Sequence, residues 1–194
     1  AVVSEETAHL IEISKEYWER TVGYYDITVY PLVEEWGFVS KDFSIETALQ
    51  LYPLDLFSAY AITTAIQRYG QNERSLFTFL ASKGSSSISG YEPTQNQRYN
   101  LQQVYDYVYY NFYSYLKDAN ADSMTWGAMQ LSIEKVEGQE WKSEEQMLQA
   151  VNIVKTIGLL NLFGVAGFRL SKDSLAEYAK QAMNIPNALD VISK

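Results

Sequence analysis

The chain has 194 residues, of which 47% are hydrophobic and 20% are charged, and it contains no cysteine. This length and composition are typical of a globular protein with a substantial core, and the absence of cysteine excludes disulfides, thiolate metal sites and a cysteine nucleophile. The net charge of −9 disfavours nucleic acid and anionic membranes as partners, because both are bound mainly through lysine and arginine.

Helical periodicity begins near the start of the sequence. Ser4 is a candidate cap for a helix that runs to about Thr21. The segment from Tyr24 to Gly37 is ambiguous, because its β-branched and aromatic residues favour a strand whereas Pro31 and the residues after it favour a short helix. The only histidine, His9, lies in the first of these segments, which argues against Ser-His-Asp catalysis.

Two helices separated by a glycine are predicted next. Pro53 is expected to start a helix from Leu54 to Tyr69, and Gly70 is expected to end it. A second helix is predicted from Glu73 to about residue 82. Residues 82–97 are rich in serine, glycine and other polar residues, so we expect a mobile loop there.

An aromatic segment follows this loop. Asn100 is a candidate cap for a helix that starts at Leu101, although Tyr105, Tyr107 and Tyr109 alternate as they would in a strand. The length of the segment and the cap favour the helix.

The last third of the sequence contains the strongest helical pattern. The remaining predicted helices are Met124 to Val136, Glu144 to Phe163 with a Ser143–Gln146 capping box and an end at Gly164, Ser171 to Met183, and Pro186 to Ser193. We therefore predict an all-α fold, with a multi-helix bundle over residues 1–138 and a unit of three helices with helix-turn-helix proportions over residues 139–194.

Two short stretches of the sequence can be compared with known ligand-binding motifs. Asp118, Asn120 and Asp122 occupy the first, third and fifth positions of a calcium loop, but Ser123 stands where the loop needs glycine and Met129 where it needs glutamate. We therefore expect a turn between helices and no metal site. The sequence also lacks the Gly-x-x-x-x-Gly-Lys-Ser/Thr string of a P-loop, so the chain by itself is not expected to hydrolyse ATP.

The tyrosine-rich helix is a candidate surface for a protein partner. Its tyrosines could stack on bases, but Asp106 is the only charged residue between positions 99 and 116, and a nucleic-acid platform also needs positive charge. Aromatic residues are enriched at protein interfaces, and we predict that Tyr107, Tyr110 and Tyr113 face a partner.

The segment YPLDLFSAYAITTAIQRYGQNERSLFTFL, from Tyr52 to Leu80, resembles a block that follows the nucleotide-binding core of large bacterial AAA-type P-loop ATPases, some of them linked to phage defence. LQQVYDYVYYNF resembles the next helix of that family, and VNIVKTIGLLNLFG and LSKDSLAEYA resemble the first two helices of its terminal winged-helix-like unit. The resemblance covers residues 45–194 and implies that residues 139–194 form a truncated winged-helix-like unit. Because the chain stops where a wing would begin, we expect a fragment of a longer protein, and the absence of cysteine fits a cytoplasmic location.

This resemblance implies a lid or regulatory role beside a nucleotide site on another domain. Arg74 would reach the γ-phosphate there, with Glu73 and Asn72 as its neighbours in the sensing group. The chain would hold no cofactor of its own, whereas the parent protein would bind ATP and magnesium. The alternatives are that Arg74 makes ordinary surface salt bridges and that the chain is a non-catalytic helical interaction scaffold without a nucleotide role.

Overall fold

A computed structural model of the chain describes residues 51–70, 73–84, 86–92, 98–117, 121–164 and 170–193. Within these ranges the backbone is helical and forms no sheet, apart from one isolated parallel bridge between Leu54 and Tyr99. The helices are α1 (Leu56–Tyr69), α2 (Glu73–Ala81), α3 (Leu101–Lys117), α4 (Ser123–Glu137), α5 (Glu144–Phe163), α6 (Lys172–Ala182) and α7 (Ala188–Ile192), with a short 3-10 helix at Ile88–Gly90. The predicted all-α class is confirmed for this part of the chain.

Helix α1 begins two residues later than predicted because its cap is Asp55, not Pro53. The Asp55 carboxylate accepts hydrogen bonds from the backbone N–H groups of Phe57 and Ser58, at 2.9 and 3.1 Å. These are donors that the first turn of a helix leaves without a partner in the helix. Gly70 ends the helix, as predicted, and its N–H donates to the carbonyl of Ile66.

Helix α3 is a helix and not a strand, as the cap at Asn100 predicted. The side-chain oxygen of Asn100 accepts from the N–H of Gln102 at 3.0 Å, and the side chain of Gln103 accepts from the N–H of Asn100 at 2.8 Å. Each of the two side chains thus accepts a hydrogen bond from a backbone N–H group at the start of the helix, as in a capping box.

Helix α5 has the two ends that the sequence predicted. Ser143 accepts a hydrogen bond from the N–H of Gln146 at 3.2 Å, and Gly164 ends the helix in the left-handed conformation with φ of 56°. Ser171 caps α6 in the same way as Ser143 caps α5, by accepting from the N–H of Ser174. A serine cap and a left-handed glycine are common at the two ends of a helix.

The core is formed where α1, α3 and α5 pack against one another. Helix α4 packs on α5 and α3, α2 packs on α1, and α7 packs on both α5 and α6. The side chains at the centre are almost completely buried and include Ile62, Ala65, Val104, Val108 and Leu159. Burial of such side chains is the main stabilising contribution to the fold.

Helices α4 and α5 touch at a glycine. Gly158 of α5 is buried, and a Cβ atom placed on it would lie 2.0 Å from the sulfur of Met129 on α4. Met129 therefore occupies the space that any larger residue at position 158 would need.

Several predicted elements lie wholly or partly outside the described residues or differ from them in length. The helix from Ser4 and the segment from Tyr24 to Gly37 lie outside the described residues. In the predicted loop 82–97 the described residues include the 3-10 helix, and Ser87 is buried there. The three terminal helices are present as α5, α6 and α7, of which α7 is shorter than predicted.

Candidate functional site

Asp55 lies at the centre of a buried polar cluster at the start of α1. In addition to its two capping bonds, its carboxylate accepts from the hydroxyl of Ser58 at 2.5 Å and from the hydroxyl of Tyr178 on α6 at 2.9 Å. The Tyr178 hydroxyl in turn accepts from the N–H of Leu101 at 3.0 Å. One carboxylate and one phenol thus join the first turns of α1 and α3 to the middle of α6.

Backbone hydrogen bonds strengthen the same junction. Tyr99 donates its N–H to the carbonyl of Pro53 at 2.9 Å, and Asp55 donates its N–H to the carbonyl of Tyr99 at 3.2 Å. The end of α6 joins through Ala182, whose carbonyl accepts from the N–H of Arg98 and from the side chain of Asn100. Three segments that are distant in the sequence therefore meet at one buried point.

The electrostatics of Asp55 are unusual for a capping residue. Burial raises the pKa of the Asp55 carboxyl, and the hydrogen bonds from Ser58, Tyr178 and Phe57 oppose that rise without cancelling it. Among the described residues no lysine or arginine pairs with this carboxylate. Perturbed carboxyl groups of this kind are often functional, but Asp55 is enclosed by the helices that it joins, so in this conformation it holds the fold together.

A second polar cluster lies at the other end of α1. The guanidinium of Arg68 lies 3.2 Å from a carboxylate oxygen of Asp122 and 5.5 Å from the centre of the Phe163 ring. The Tyr69 hydroxyl donates to Asp122 at 2.8 Å and accepts from the indole N–H of Trp126 at 3.1 Å. Asp122, which the sequence places in the rejected calcium motif, thus ties α1 to α4.

A third pair connects α3 and α5. The Lys155 ammonium lies 2.6 Å from a carboxylate oxygen of Asp106 and 5.5 Å from the centre of the Tyr105 ring. The side chains of Gln102 and Gln130 donate to Asp106 and to the Tyr105 hydroxyl, respectively. Both residues of this pair interact with other groups of the protein, so the pair serves as a contact between α3 and α5.

The residues predicted to sense a nucleotide lie at the start of α2. Arg74 is exposed, and its carbonyl accepts a hydrogen bond from Thr78 at 2.8 Å. Asn72 lies outside the described residues, and Glu73 is described only as the first residue of the helix. Arg74 lies on α2, the helix after α1, and it is not a member of either polar cluster of α1.

The three tyrosines predicted to face a partner do not share one environment. Tyr107 is buried in the core, 2% exposed, with its ring 4.9 Å from that of Phe79, and burial raises the pKa of its hydroxyl to about 12. Tyr110 is 83% exposed and Tyr113 is 39% exposed. Tyr107 therefore belongs to the core in this fold, and the proposal of a partner surface concerns only the other two.

A polar groove of about 830 Å³ lies between the start of α5 and α7. Its lining residues include Lys142, Ser143, Gln146, Asn187 and Asp190. In the described ranges, no group of three or more histidine, cysteine, aspartate or glutamate side chains is placed to hold a metal ion. Within the same ranges, no helix combines the length and the apolar character that a membrane span requires.

The ApbE family model matches residues 1–82 of the chain. No curated protein and no solved structure matches the chain. The family match covers 82 of the 194 residues and includes both α1 and α2, so Asp55, Ser58, Arg68 and Tyr69 fall inside it.

This match overturns the resemblance to AAA-type ATPases. The segment from Tyr52 to Leu80, which carried that resemblance, lies within the ApbE match, so the prediction of an ATPase lid with a sensor arginine at position 74 is wrong. The descriptions of the chain as an AAA protein and as an ATP-binding fragment are wrong for the same reason. The alternative of an interaction scaffold has no support from the match either.

The sequence reasoning missed both clusters of α1. Asp55 carried a recognisable signal, because an aspartate directly before an apolar helical stretch is a frequent cap. Its bonds to Tyr178 and the contact of Arg68 with Asp122 had no signal in the sequence, because each joins residues more than 50 positions apart.

Proposed function

We propose that the chain carries part of a flavin transferase of the ApbE type, which moves a flavin-containing group from a donor to an acceptor. The observation that carries this proposal is the family match over residues 1–82. We place the flavin chemistry in this matched segment, and in our proposal the protein acts in the cytoplasm, the compartment that a cysteine-free sequence favours.

The described part of the matched segment supports this proposal as a framework. Helix α1 packs against α3 and α5, and the Asp55 and Arg68 clusters fix its two ends. In an enzyme, supporting contacts of this kind hold reacting groups in position. Residues beyond position 82 therefore contribute to the same framework, because Tyr178 and Asp122 complete the two clusters.

A flavin transfer assay tests the proposal. The 194-residue chain is titrated into riboflavin, FMN and FAD, and the flavin fluorescence is followed. The chain is then incubated with FAD, magnesium and a soluble protein extract, and the denatured proteins are examined for flavin fluorescence in a gel. We expect saturable binding of at least one flavin nucleotide and a fluorescent acceptor band that requires the native chain.

The controls separate flavin chemistry from general nucleotide binding. Heat-denatured chain should give no acceptor band, and ATP should not displace the flavin. Absence of both saturable flavin binding and a fluorescent band would refute the proposed function. Binding of ATP with the same affinity as flavin would also count against it.

We also propose that α5, α6 and α7 form a truncated winged-helix-like unit. The supporting observation is that α7 packs on both α5 and α6, with the connection from α6 to α7 only five residues long. This connection is close to the length of a helix-turn-helix turn. The charged residue of α7 is Asp190, so we do not expect the unit to read a DNA groove.

A further inference from the structure

We propose that Asp55 and Tyr178 form a proton-controlled latch, which holds α6 against the starts of α1 and α3. This inference stands on the geometry of the Asp55 cluster and is independent of the proposed flavin chemistry. Opening of the latch would release α6 while the central helices α1, α3 and α5 remain packed.

The centre of the latch is the pair Asp55 and Tyr178, and the carbonyl of Ala182 at the end of α6 adds bonds to Arg98 and Asn100. Tyr178 bonds to the starts of both helices, since it donates to Asp55 at 2.9 Å and accepts from the N–H of Leu101 at 3.0 Å. The Phe57 ring packs edge-on against the Tyr178 ring, with 5.7 Å between their centres. Undocking of α6 would break these contacts together and give water access to the Asp55 carboxylate.

Among the titratable groups around the latch, Asp55 is the one whose protonation changes the docking of α6. Tyr178 is the titratable group in contact with the carboxylate among the described residues, and burial together with Asp55 raises its pKa, so it remains a neutral donor. Arg98, on the segment before α3, places its guanidinium 5.7 Å from the centre of the Tyr52 ring. The other charged side chains on the packed helices are paired elsewhere or exposed: Arg68 with Asp122, Asp106 with Lys155, and Lys172, Asp173, Glu177 and Lys180 on the solvent side of α6.

The direction of the pH effect follows from the raised pKa of Asp55. Well below the ordinary value of 3.8, the carboxyl is protonated whether α6 is docked or not, and pH has no effect on the latch. At higher pH the undocked state loses its proton first, so docking weakens as the pH rises towards the raised pKa. Above that pKa both states are charged and the effect levels off.

Hydrogen exchange measured by mass spectrometry between about pH 4 and pH 8, a window that starts at the ordinary carboxyl pKa, tests the latch. Protection of the α6 peptide is corrected for the intrinsic exchange rate and compared with that of α5 in the same sample. We expect the opening constant of α6 to rise with pH by up to about tenfold per pH unit, then to level off, because one proton is linked to opening. The α5 peptide should lack this additional rise.

Three variants separate the latch from a general effect of pH. Asp55→Asn removes the titrating group and should make the opening of α6 independent of pH. Tyr178→Phe should increase α6 exchange at every pH, because Asp55 and the Leu101 N–H both lose a partner. Glu177→Gln removes an exposed carboxylate from the same helix and should keep the wild-type profile.

Two results would overturn the proposal. One is a wild-type opening constant of α6 that stays flat across the whole pH range, which needs no variant. The other is a Tyr178→Phe chain whose α6 exchanges no faster than in the wild type. If Asp55→Asn folds, an unchanged pH slope in that variant is a third contrary result.

Discussion

Position 158 shows how little space the contact between α4 and α5 leaves. A methyl group there would lie 2.0 Å from the sulfur of Met129 and 2.7 Å from its Cγ atom, well inside van der Waals contact. The opposite case is Gly127 on α4, which is exposed and has nothing within 4 Å of the place that a methyl group would take. The two residues have the same helical setting and differ in their surroundings.

This pair of glycines gives a prediction for single residues. Gly127→Ala should raise the free energy of unfolding by about 0.5–1 kcal/mol, because alanine is the better helix former. Gly158→Ala gains the same propensity but overpacks the core at a cost of about 1–3 kcal/mol, so we expect a net loss. Urea denaturation measures both, and an equal gain at the two positions would contradict the collision with Met129.

Single residues were predictable from the sequence where their partners are close in the chain. Ser143 and Asn100 are recognisable as caps because each bonds to a backbone group two or three positions away. The burial of Tyr107 was not recognised, because its neighbour Phe79 comes from another helix. The aromatic pattern of α3 alone cannot distinguish a tyrosine in the core from one at the surface.

At the scale of the elements, α5 is defined by its ends. Its 20 residues run from the Ser143 cap to the left-handed Gly164, and the prediction from sequence had the same bounds. The cap matters for the whole bundle, because α5 contacts α1, α3, α4 and α7.

The cap of α5 can be tested by substitution. Ser143→Ala should lower the free energy of unfolding by about 1 kcal/mol, because the N–H of Gln146 loses its acceptor. Ser143→Asn keeps an acceptor at the same place and should have nearly wild-type stability. Urea unfolding followed by far-ultraviolet circular dichroism measures both variants. Equal stability of the alanine and asparagine variants would show that the cap contributes nothing.

At the scale of the whole molecule, the described contacts continue across residue 138, where the sequence predicted a boundary between two domains. Helix α5 lies beyond that position and packs on α1, α3 and α4, which precede it. The Asp55 cluster adds a second connection, because Tyr178 also lies beyond the predicted boundary. The division into two domains stays a prediction. It can be tested by removing the residues after position 138.

A chain shortened to residues 1–138 should lose cooperative unfolding. Without α5 the apolar faces of α1 and α3 that pack on it would be exposed to water, and the Asp55 carboxylate would lack the Tyr178 hydroxyl. The full chain should give one sharp urea transition, whereas the shortened chain should give a broad one. A sharp transition in the shortened chain would instead support a boundary after residue 138.

The family assignment shows the limit of sequence patterns at this scale. Helical segments and most of their caps could be read from local spacing, but amphipathic helices with similar spacing occur in unrelated proteins. The most specific part of the resemblance to ATPases was the segment around Arg74, and that segment lies within the match to the ApbE family model. Local physics predicts helices well, whereas the identity of a family depends on a longer stretch of sequence.

The position of Tyr178 has a consequence for synthesis of the protein on the ribosome. Tyr178 follows Asp55 by 123 positions, so the cap of α1 emerges long before its last partner. At elongation rates of roughly 5–20 residues per second, the delay is roughly 6–25 s. During that interval the nascent chain has the Asp55 carboxylate open to water, and the first helices must wait for the C-terminal part before the junction can close.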